Sequence, residues 1–539
     1  MVALGAARGG CERVNARDDA AGAGESAVRD GGTGAARDAL VLALDQGGQS
    51  SRALVFDARG TVVAKAARAV GEHRASDDRV EQDGEELVRS LQECVDEVAR
   101  ALGTAVARVR AAGLATQRSS IACWDRASGA ALGPVLSWQD RRAAAALEPA
   151  RSREAWIVER TGLRLSPHYG ATKLAWCLEN EPLVRAARAR NTLALGPLAS
   201  FLVHRLAQER PFVADPANAS RTLLWNLARG DWDDELCALF GVPRALLPDC
   251  VPTRSAFGTL AVGAERVPLT VVNGDQSCAL FAGGAPDADA LYANFGTGAF
   301  LQRPVRGDAP AIDGLLRSVV LGERAGRTCV VEGTINGAGS ALAHHARELG
   351  VAEWERALDA WLRDVRDPPL FLNGHSGLAA PFWRSDFRSR FVADARSAGA
   401  GNVSTAPRTP SAPEALVAVV ESILFLACSI VERMDTALPR ARRVLASGGL
   451  ARSDGLCQRL ADALQFPVER RDEPEATARG LAHLLFAEEG AQVSFPLGPR
   501  GVARFEPQPS APLGARLARW RYALDVALSV RAHESDHFT

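Results

Sequence analysis

The chain has 539 residues, of which 47% are hydrophobic and 24% charged, and its formal net charge at pH 7 is −1. This length exceeds what one hydrophobic core supports and predicts two large domains of an ordinary globular protein. The small net charge argues against a nucleic-acid or membrane partner that is recruited by global charge.

Residues 1–38 differ in composition from the rest of the chain. They are rich in Ala, Gly, Arg and Asp, show no apolar periodicity and lack the apolar stretch of a secretory signal. We expect a disordered N-terminal extension or a start codon placed too early. Ten cysteines are scattered along the chain without a CxxC pair, which indicates thiols in a reducing compartment and a cytoplasmic protein.

From residue 39 the predicted elements alternate between strands and helices. The first half has strands on both sides of a polar turn, a helix around residues 87–102, strands near 111–115, 121–124, 135–138 and 269–272, and helices over most of 139–206. The second half has paired strands around 294–300, a strand near 329–331, a long helix near 411–434, a strand near 444–446 and helices near 453–465 and 475–488. This order predicts a mixed α/β fold, and the hairpin that opens each half indicates a duplicated domain.

The apolar stretch from Ala415 to Val431 is the most hydrophobic of the chain. It contains Glu421 and is too short to cross a bilayer. Ser411 and Glu414 precede it with the spacing of a capping box, so the pattern predicts a capped, buried helix and no membrane segment.

Two short glycine-rich turns lie far apart in the chain, each between strand-like segments. The first runs from Asp45 to Arg52 and the second from Asn294 to Phe300, while Asp275 ends another apolar run between them. Glycines let backbone N–H groups approach an anion, and a carboxylate at a strand end can hold hydrated Mg²⁺ or accept a proton. Two phosphate turns with a candidate base between them predict a nucleotide-dependent phosphotransferase.

Several further blocks occur in a familiar order. They are Ala115–Arg118, Ser137–Arg142, Thr161–Leu163, Ala171–Leu174, Asp215–Thr222 and Ser447–Gly449. With the two turns, they make the chain resemble the FGGY carbohydrate kinases, and within that family the glycerol kinases, from about Leu40 to about Trp520. The resemblance implies two actin-like (ribonuclease H-like) domains with the active site in the cleft between them, and ATP and Mg²⁺ as cofactors.

The resemblance also implies domain ranges and residue roles. Residues 39–286 would form the N-terminal domain with the acceptor site and the first phosphate turn, residues 287–525 the nucleotide-binding C-terminal domain, and residues 526–539 a tail. Asp275 matches the catalytic base, and Asp45 and Asp275 would hold the metal through water. The residues that would bind the nucleotide are Asp45, Gly47, Gly48, Gln49, Ser50, Arg52, Gly296, Thr297, Gly339, Gly449 and Ser453. Those that would bind the acceptor are Arg118, Ser119, Trp138, His168, Asp275, Gln276 and Phe300.

The chain departs from the glycerol kinase pattern in both predicted sites. Glycerol kinases usually have Gly-Thr-Thr-Ser in the first turn, whereas this chain has Gly48 and Gln49 in place of the two threonines, so two hydroxyl donors are lost. In the acceptor site Ser119 replaces a glutamate and His168 replaces a tyrosine, which predicts a roomier pocket with a weaker hold on glycerol.

Ser453 stands where glycerol kinases usually carry an adenine-contacting Asn. Residues 261–266 also lack the basic Gly-Gly-Thr-Arg loop through which some bacterial glycerol kinases bind a regulatory sugar phosphate, so that form of control is not predicted.

These observations lead to one interpretation and two alternatives. The interpretation is an ATP- and Mg²⁺-dependent polyol kinase that converts glycerol to sn-glycerol 3-phosphate. The first alternative is a kinase for another polyol or a ketose, such as a tetritol or a pentulose, which Ser119 and His168 favour. The second is an ATP-binding pseudokinase with a regulatory role, which the altered turn at Gly48 favours and which Asp45 and Asp275 oppose. A small polyol or sugar is the expected partner. The sequence does not decide whether the chain forms a homo-oligomer.

Overall fold

The structure is a computed structural model that describes residues 38–392, 409–471, 473, 475–487, 495, 502–509 and 511–529. The predicted disordered extension therefore lies outside the described residues, except for residue 38. Residues 530–539 of the predicted tail also lie outside them.

The chain packs into two compact units. The first unit comprises Met1–Pro286, Ser318–Cys329 and Pro474–Leu497, and the second comprises Asp287–Arg317, Val330–Glu473 and Gly498–Thr539. Compact units and functional domains need not share their ends, and the predicted domain ranges stay a prediction.

Before residue 287, the described part of the first unit contains fifteen strands and most of the helices of that unit. The strands are β1 Leu40–Gln46, β2 Ser50–Asp57, β3 Val62–Ala69, β4 His73–Ser76, β5 Arg79–Gln82, β6 Val109–Thr116, β7 Ile121–Asp125, β8 Val135–Leu136, β9 Leu193–Pro197, β10 Val213–Ala214, β11 Trp225–Asn226, β12 Asp231–Trp232, β13 Asp249–Cys250, β14 Thr259–Val262 and β15 Glu265–Gly274. The helices are α1 Gly84–Leu102, α2 Glu154–Thr161, α3 Gly170–Asn180, α4 Pro182–Ala189, α5 Leu198–Leu206, α6 Pro216–Ala219, α7 Asp234–Phe240 and α8 Asp275–Ala279.

The main sheet of the first unit has the strand order β14-β15-β6-β1-β2-β3. Strands β1, β2 and β3 pair antiparallel, whereas β6 runs parallel to β1 and β15 runs parallel to β6. Leu42, Leu114 and Leu91 of helix α1 are fully buried in the core that this sheet shares with α1. Because β1, β6 and β15 are parallel, their carboxyl ends meet at one edge of the sheet, where Asp45, Arg118 and Asp275 follow.

The remaining strands and helices follow in chain order, and most of them belong to the second unit. The strands are β16 Ala290–Phe295, β17 Ala299–Arg306, β18 Leu316–Glu323, β19 Gly326–Ile335, β20 Leu370–Leu372, β21 Arg390–Val392, β22 Arg443–Ser447, β23 Val468–Arg471 and β24 Val502–Phe505. The helices are α9 Gly339–Glu348, α10 Trp354–Asp364, α11 Ala412–Met434, α12 Asp454–Leu464, α13 Ala476–Phe486 and α14 Ala511–Ser529. Helix α13, residues 318–323 of β18 and residues 326–329 of β19 belong to the first unit.

The second large sheet repeats the topology of the first. Its order is β18-β19-β17-β16-β22-β23-β24, with β16 and β17 antiparallel and β22 parallel to both β16 and β23. In each sheet a hairpin opens the unit, and two later strands add in parallel beside its first strand. The shared topology agrees with the duplication expected from the sequence.

The long apolar helix α11 begins with the predicted capping box, in which Ser411 and Glu414 exchange hydrogen bonds between side chain and backbone. By length and composition it is the one helix in the described residues that could cross a membrane, yet 94% of its most apolar window is buried inside the fold. The helix therefore serves as a core element, as its pattern predicted.

Three details differ from the predicted elements. Strand β8 ends at Leu136 because a turn closes between Ser137 and Asp140, so Trp138 leaves the strand. Strand β9 lies within 139–206, where mainly helices were expected. Helix α14 continues to Ser529, four residues past the predicted domain end, and it is anchored by the buried Trp520 and Leu524.

Candidate functional site

The first glycine-rich turn connects β1 to β2 in the first unit. Asp45 lies opposite Arg52 in the register of the two strands, and the Gly47 N–H donates to the Ser50 carbonyl at 2.9 Å. Gln49 is exposed, and its carbonyl accepts from the Val70 N–H at 3.0 Å. The turn is thus fixed by its own backbone.

The glycines of this turn are not explained by packing or by backbone conformation. Gly47 and Gly48 do not adopt positive φ angles. A Cβ added at Gly47 would meet no described atom closer than 3.5 Å, and one at Gly48 none closer than 3.9 Å. The open face of the turn leaves room for an anion to approach the backbone N–H groups.

Asp45 is a buried carboxylate with an electrostatically mixed environment. Asp45 is 4% exposed, and the Nε atom of Arg52 lies 3.8 Å from the Oδ2 atom of Asp45. Burial raises the pKa of Asp45 to about 7, the Arg52 charge opposes this, and Asp275 and Glu475 add to the increase. The Arg52 guanidinium also contacts Glu475 at 2.8 Å, so one cation is shared between two carboxylates.

Asp275 begins the short helix α8 directly after β15. Burial raises its pKa, while the Arg118 charge and the N–H of Gln276, which donates to Oδ1 at 2.7 Å, oppose the increase. A carboxylate with a raised pKa accepts a proton at neutral pH more readily than an ordinary aspartate.

Arg118 is held beside Asp275 by the backbone that precedes the helix. A Cβ at Gly274 would lie 2.5 Å from Cγ and Cδ of Arg118, so only glycine lets the arginine pass. The Arg118 guanidinium donates to the Gln276 side-chain oxygen. The structure therefore brings the predicted residues Arg118, Asp275 and Gln276 together in the first unit.

Ser119, Trp138 and His168 form a second group in the same unit. Ser119 is almost fully buried at a φ of 65°, a left-handed conformation that costs a non-glycine residue about 1–2 kcal/mol. The Trp138 N–H donates to the Ser120 hydroxyl at 2.9 Å, and the Trp138 side chain is 42% exposed. The Trp138 and His168 rings lie 6.3 Å apart.

His168 has a defined tautomer when it is neutral. Its Nδ1 lies 2.9 Å from the Trp138 carbonyl oxygen, which can only accept, so Nδ1 carries the proton. Burial lowers the pKa of His168, with the Lys173 charge acting in the same direction. Neutral His168 therefore has Nε2 available as a hydrogen-bond acceptor, whereas a tyrosine hydroxyl can also donate.

The second glycine-rich turn connects β16 to β17 in the second unit. The Thr297 carbonyl accepts from the N–H groups of Ala338 and Ser340, and the Gly296 carbonyl accepts from the Gly339 N–H at 2.9 Å. These bonds fix the turn against the start of helix α9. Phe300, which was predicted with the acceptor residues, lies half-buried in β17 of this unit.

The segment after β22 lies against the same turn. Gly448 has a φ of 91°, and a Cβ there would stand 2.4 Å from the Phe295 carbonyl oxygen, so glycine is required. At Gly449 a Cβ would meet no described atom within 4 Å. Ser453 caps helix α12 by accepting from the Leu456 N–H at 3.0 Å, and its hydroxyl donates to Asp359 at 2.5 Å. The predicted nucleotide residues of the second unit thus come from three adjoining segments.

Two buried glutamines outside the predicted set contact the first turn. The Gln82 amide donates to the Gly48 carbonyl at 2.9 Å, and the Gln117 amide donates to the Gln82 oxygen at 2.6 Å. The Ser120 hydroxyl then donates to the Gln117 oxygen at 3.1 Å. These bonds connect the first glycine-rich turn to Ser120, whose hydroxyl accepts from the Trp138 N–H. Gln117 belongs to the Ala115–Arg118 block and Gln82 lies just before helix α1, but their sequence spacing gave no sign of their contact.

Lys173 is a further buried residue that lies outside the predicted set. Its ammonium donates to the carbonyl oxygens of Ser119, Ser137 and His168 at 2.8–2.9 Å. The sequence offered two signals: Lys173 lies in the Ala171–Leu174 block, and Lys173 and Lys65 are the only lysines in an arginine-rich chain.

The first unit offers a donor set that suits a hydrated divalent cation. Asp45 is buried among carboxylates, and the charges of Asp275 and Glu475 both raise its pKa. Binding a cation relieves this repulsion, and Mg²⁺ prefers carboxylate oxygens while it keeps several of its waters. The residues present therefore fit the metal that the resemblance implies.

The fold is similar to that of sugar and polyol kinases of known structure. The crystal structure of Plasmodium falciparum glycerol kinase with ADP matches with a TM-score of 0.78 at 20% identity, over 90% of this chain and 97% of that one. Xylulose kinase from Rhodospirillum rubrum matches with a TM-score of 0.76 at 20% identity, over 92% and 100% of the two chains. At these identities the match concerns the fold, and it confirms the predicted mixed α/β, actin-like class.

Sequence relatives define the family. The profile of the FGGY family of carbohydrate kinases matches with its N-terminal domain at residues 40–282 and its C-terminal domain at residues 291–488. Glycerol kinase from Xanthobacter autotrophicus is 34% identical over 91% of this chain and 99% of its own length. Glycerol kinase from Trichlorobacter lovleyi is 36% identical over 83% and 89%. The chain belongs to the FGGY family of carbohydrate kinases, which confirms the predicted family and the predicted enzyme class.

Proposed function

We propose that this enzyme transfers the γ-phosphoryl group of ATP to a hydroxyl of a small polyol, with glycerol as the leading acceptor and sn-glycerol 3-phosphate as the product. The glycerol kinases that align with nearly the whole chain support the acceptor class. The relative of known structure that holds ADP supports the nucleotide. The observation that carries the proposal is the Asp275 carboxylate, whose pKa is raised beside Arg118 and Gln276.

In the proposed reaction Asp275 is the general base. The acceptor hydroxyl gives its proton to the Asp275 carboxylate while its oxygen forms a bond to the γ-phosphorus, and the bond from that phosphorus to the departing ADP oxygen breaks. The Arg118 charge lowers the pKa of Asp275, and Gln276, whose side-chain oxygen accepts from Arg118, offers its amide to a second acceptor hydroxyl. When Mg²⁺ is bound, with Asp45 and Asp275 holding it through water, it neutralises the phosphate charge.

Each unit contains a turn with residues that are predicted to contact the phosphates. In the first unit Gly47, Gly48, Gln49, Ser50 and Arg52 would face the phosphates, and the open sides of both glycines support this. In the second unit the predicted nucleotide residues are Gly296, Thr297, Gly339, Gly449 and Ser453. Ser453 already uses its hydroxyl in two hydrogen bonds, which favours a capping role for it and a backbone contact with the nucleotide.

A second acceptor class has its own support. Ser119 is uncharged where glycerol kinases carry glutamate, and neutral His168 accepts through Nε2 where they carry a tyrosine hydroxyl. These changes favour a tetritol, a pentulose or another polyol with an additional hydroxyl that can donate to His168.

We place the enzyme in the cytoplasm, because all nine cysteines in the described residues are free thiols.

The test is ADP release from Mg·ATP across a panel of glycerol, dihydroxyacetone, tetritols, pentitols and pentuloses, with Asp275→Asn as the blank. We expect turnover with one acceptor and a loss of about 10²–10⁴-fold in the variant, which is the usual contribution of a general base. Tight ATP binding without turnover on any acceptor would refute the proposal in favour of the pseudokinase.

A further inference from the structure

Lys173 occupies a position that local energetics disfavour. It lies in the first turn of helix α3, where a positive charge opposes the helix dipole, and its side chain is fully buried. A buried ammonium is costly unless every N–H finds an acceptor. Such a residue needs a compensating reason at this site.

The compensation comes from three backbone carbonyls. The Lys173 Nζ donates to Ser119 at 2.8 Å, to Ser137 at 2.9 Å and to His168 at 2.8 Å. An ammonium has three donors, so this set satisfies it completely. Burial lowers the pKa of Lys173 to about 7; the Asp140 charge opposes this lowering, and the Arg142 charge adds to it.

The three carbonyls belong to three separate segments of the first unit. Ser119 and His168 are themselves predicted acceptor residues, and Ser137 immediately precedes Trp138. The Ser119 residue also adopts a left-handed conformation, which the bond from Lys173 helps to hold. The bond between His168 and the Trp138 carbonyl closes the same group from another side.

We propose that Lys173 is a positioning residue of the acceptor site, which sets the spacing of Ser119, Trp138 and His168 by tying their backbones to one ammonium. The proposal rests on the proposed function, because these three residues matter only if an acceptor binds there. Lys173 does not touch the acceptor, and its effect is exerted through the residues that do. The first glycine-rich turn is closed by its own backbone bond from Gly47 to Ser50, so nucleotide binding should depend less on Lys173 than acceptor binding does.

The test is the variant Lys173→Met, which keeps the length of the side chain and removes its donors. With the acceptor that the wild type prefers, KM should rise at least tenfold, while the Kd for ATP without acceptor changes less than twofold. The matched control is Lys65→Met, at an exposed position of β3, which should change neither constant.

Several outcomes would overturn the proposal. An unchanged acceptor KM in Lys173→Met, or equal losses of acceptor and ATP binding, would assign Lys173 to general stability alone. Wild-type protein that turns over no acceptor would overturn the proposed function and this inference with it, whereas wild-type turnover with an unaffected variant overturns this inference alone.

A second measurement uses the native protein, in case the variant does not fold. Isotope labelling of lysine gives two side-chain NMR signals, because the chain has two lysines, and Lys65→Met assigns them. We expect the Lys173 signal to shift when the acceptor is added and to stay in place when ADP is added. A Lys173 signal that does not respond to saturating acceptor would overturn the proposal.

Discussion

The burial of Asp45 predicts that the proposed reaction has a pH dependence centred near neutrality. Burial raises the pKa of this carboxyl to about 7 against the opposing Arg52 charge. A group with this pKa is ionised to about 9% at pH 6 and about 91% at pH 8. If ionised Asp45 holds the hydrated metal, kcat/KM for ATP at limiting Mg²⁺ should increase about tenfold over that interval.

The assay is the initial rate of ADP release at constant ionic strength, measured across pH at limiting and at saturating Mg²⁺. Because the metal and the proton compete for the same carboxylate, saturating Mg²⁺ should move the acidic limb to lower pH. A limb whose position does not depend on Mg²⁺ would refute this reasoning. Asp275 also has a raised pKa, so the observed midpoint belongs to interacting groups and needs variants to assign it.

Two substitutions should shift the limb in opposite directions. Arg52→Met removes the cation that stabilises ionised Asp45 and should move the limb to higher pH. Glu475→Gln removes a neighbouring negative charge and its contact with Arg52, and should move the limb to lower pH. Shifts in the same direction in both variants would show that Asp45 does not set the midpoint.

Three further predictions concern Ser119, Gln82 and the stability cost of Asp45. Ser119→Glu restores the carboxylate usual in glycerol kinases and should lower the KM for glycerol at least fivefold in steady-state assays; an unchanged KM contradicts the idea of a loosened pocket. Gln82→Leu leaves the Gly48 carbonyl and the Gln117 amide without their buried partner, a cost of about 1–3 kcal/mol, and should raise the KM for ATP several-fold. Asp45→Asn should stabilise the ligand-free protein, and the gain should be roughly 2–3 kcal/mol larger at pH 8 than at pH 5. The carboxyl binds its proton more tightly in the native state than in the unfolded state. The wild type therefore loses stability as the pH rises toward 7. Denaturant unfolding at both pH values measures this, and an equal difference at the two would contradict it.

The fold was predictable where the sequence pattern is local. Strand β1, helix α1 after Asp83 and the capping box of α11 all follow from periodicity and end signals over a few residues. The packing of helix α13 against the first unit was not predictable, because it depends on contacts between residues that are far apart in the sequence. A Cβ at Gly480 of that helix would lie 1.8 Å from the Cys278 carbonyl oxygen, a constraint that a lone glycine in a helical pattern does not reveal.

The candidate site was predictable in its charged and glycine residues, whose types suit phosphate chemistry, and their roles remain predictions. The bonds that hold these residues could not be predicted. Glu475 lies more than 400 residues from Arg52, and the contact of Gln82 with Gly48 depends on how separate strands meet. For Ser453 the family resemblance predicts a nucleotide contact, which stays a prediction, and the sequence did not reveal that its hydroxyl accepts from the Leu456 N–H at the start of helix α12.

In the predicted acceptor site, the departures from the glycerol kinase pattern concern side chains, whereas the bonds from Lys173 concern the backbone. Ser119 and His168 differ in the side chains that an acceptor would meet, whereas Lys173 binds the backbone carbonyls of the same two residues. A backbone tie is indifferent to the side chain attached, so acceptor contacts can change without disturbing their spacing. The acceptor panel and Lys173→Met therefore test separate properties: the first tests which hydroxyls the side chains recognise, and the second tests whether those side chains are held where recognition requires them. If both predictions hold, Ser119→Glu in the Lys173→Met background should improve glycerol binding less than it does in the wild type, because the restored carboxylate would no longer be positioned.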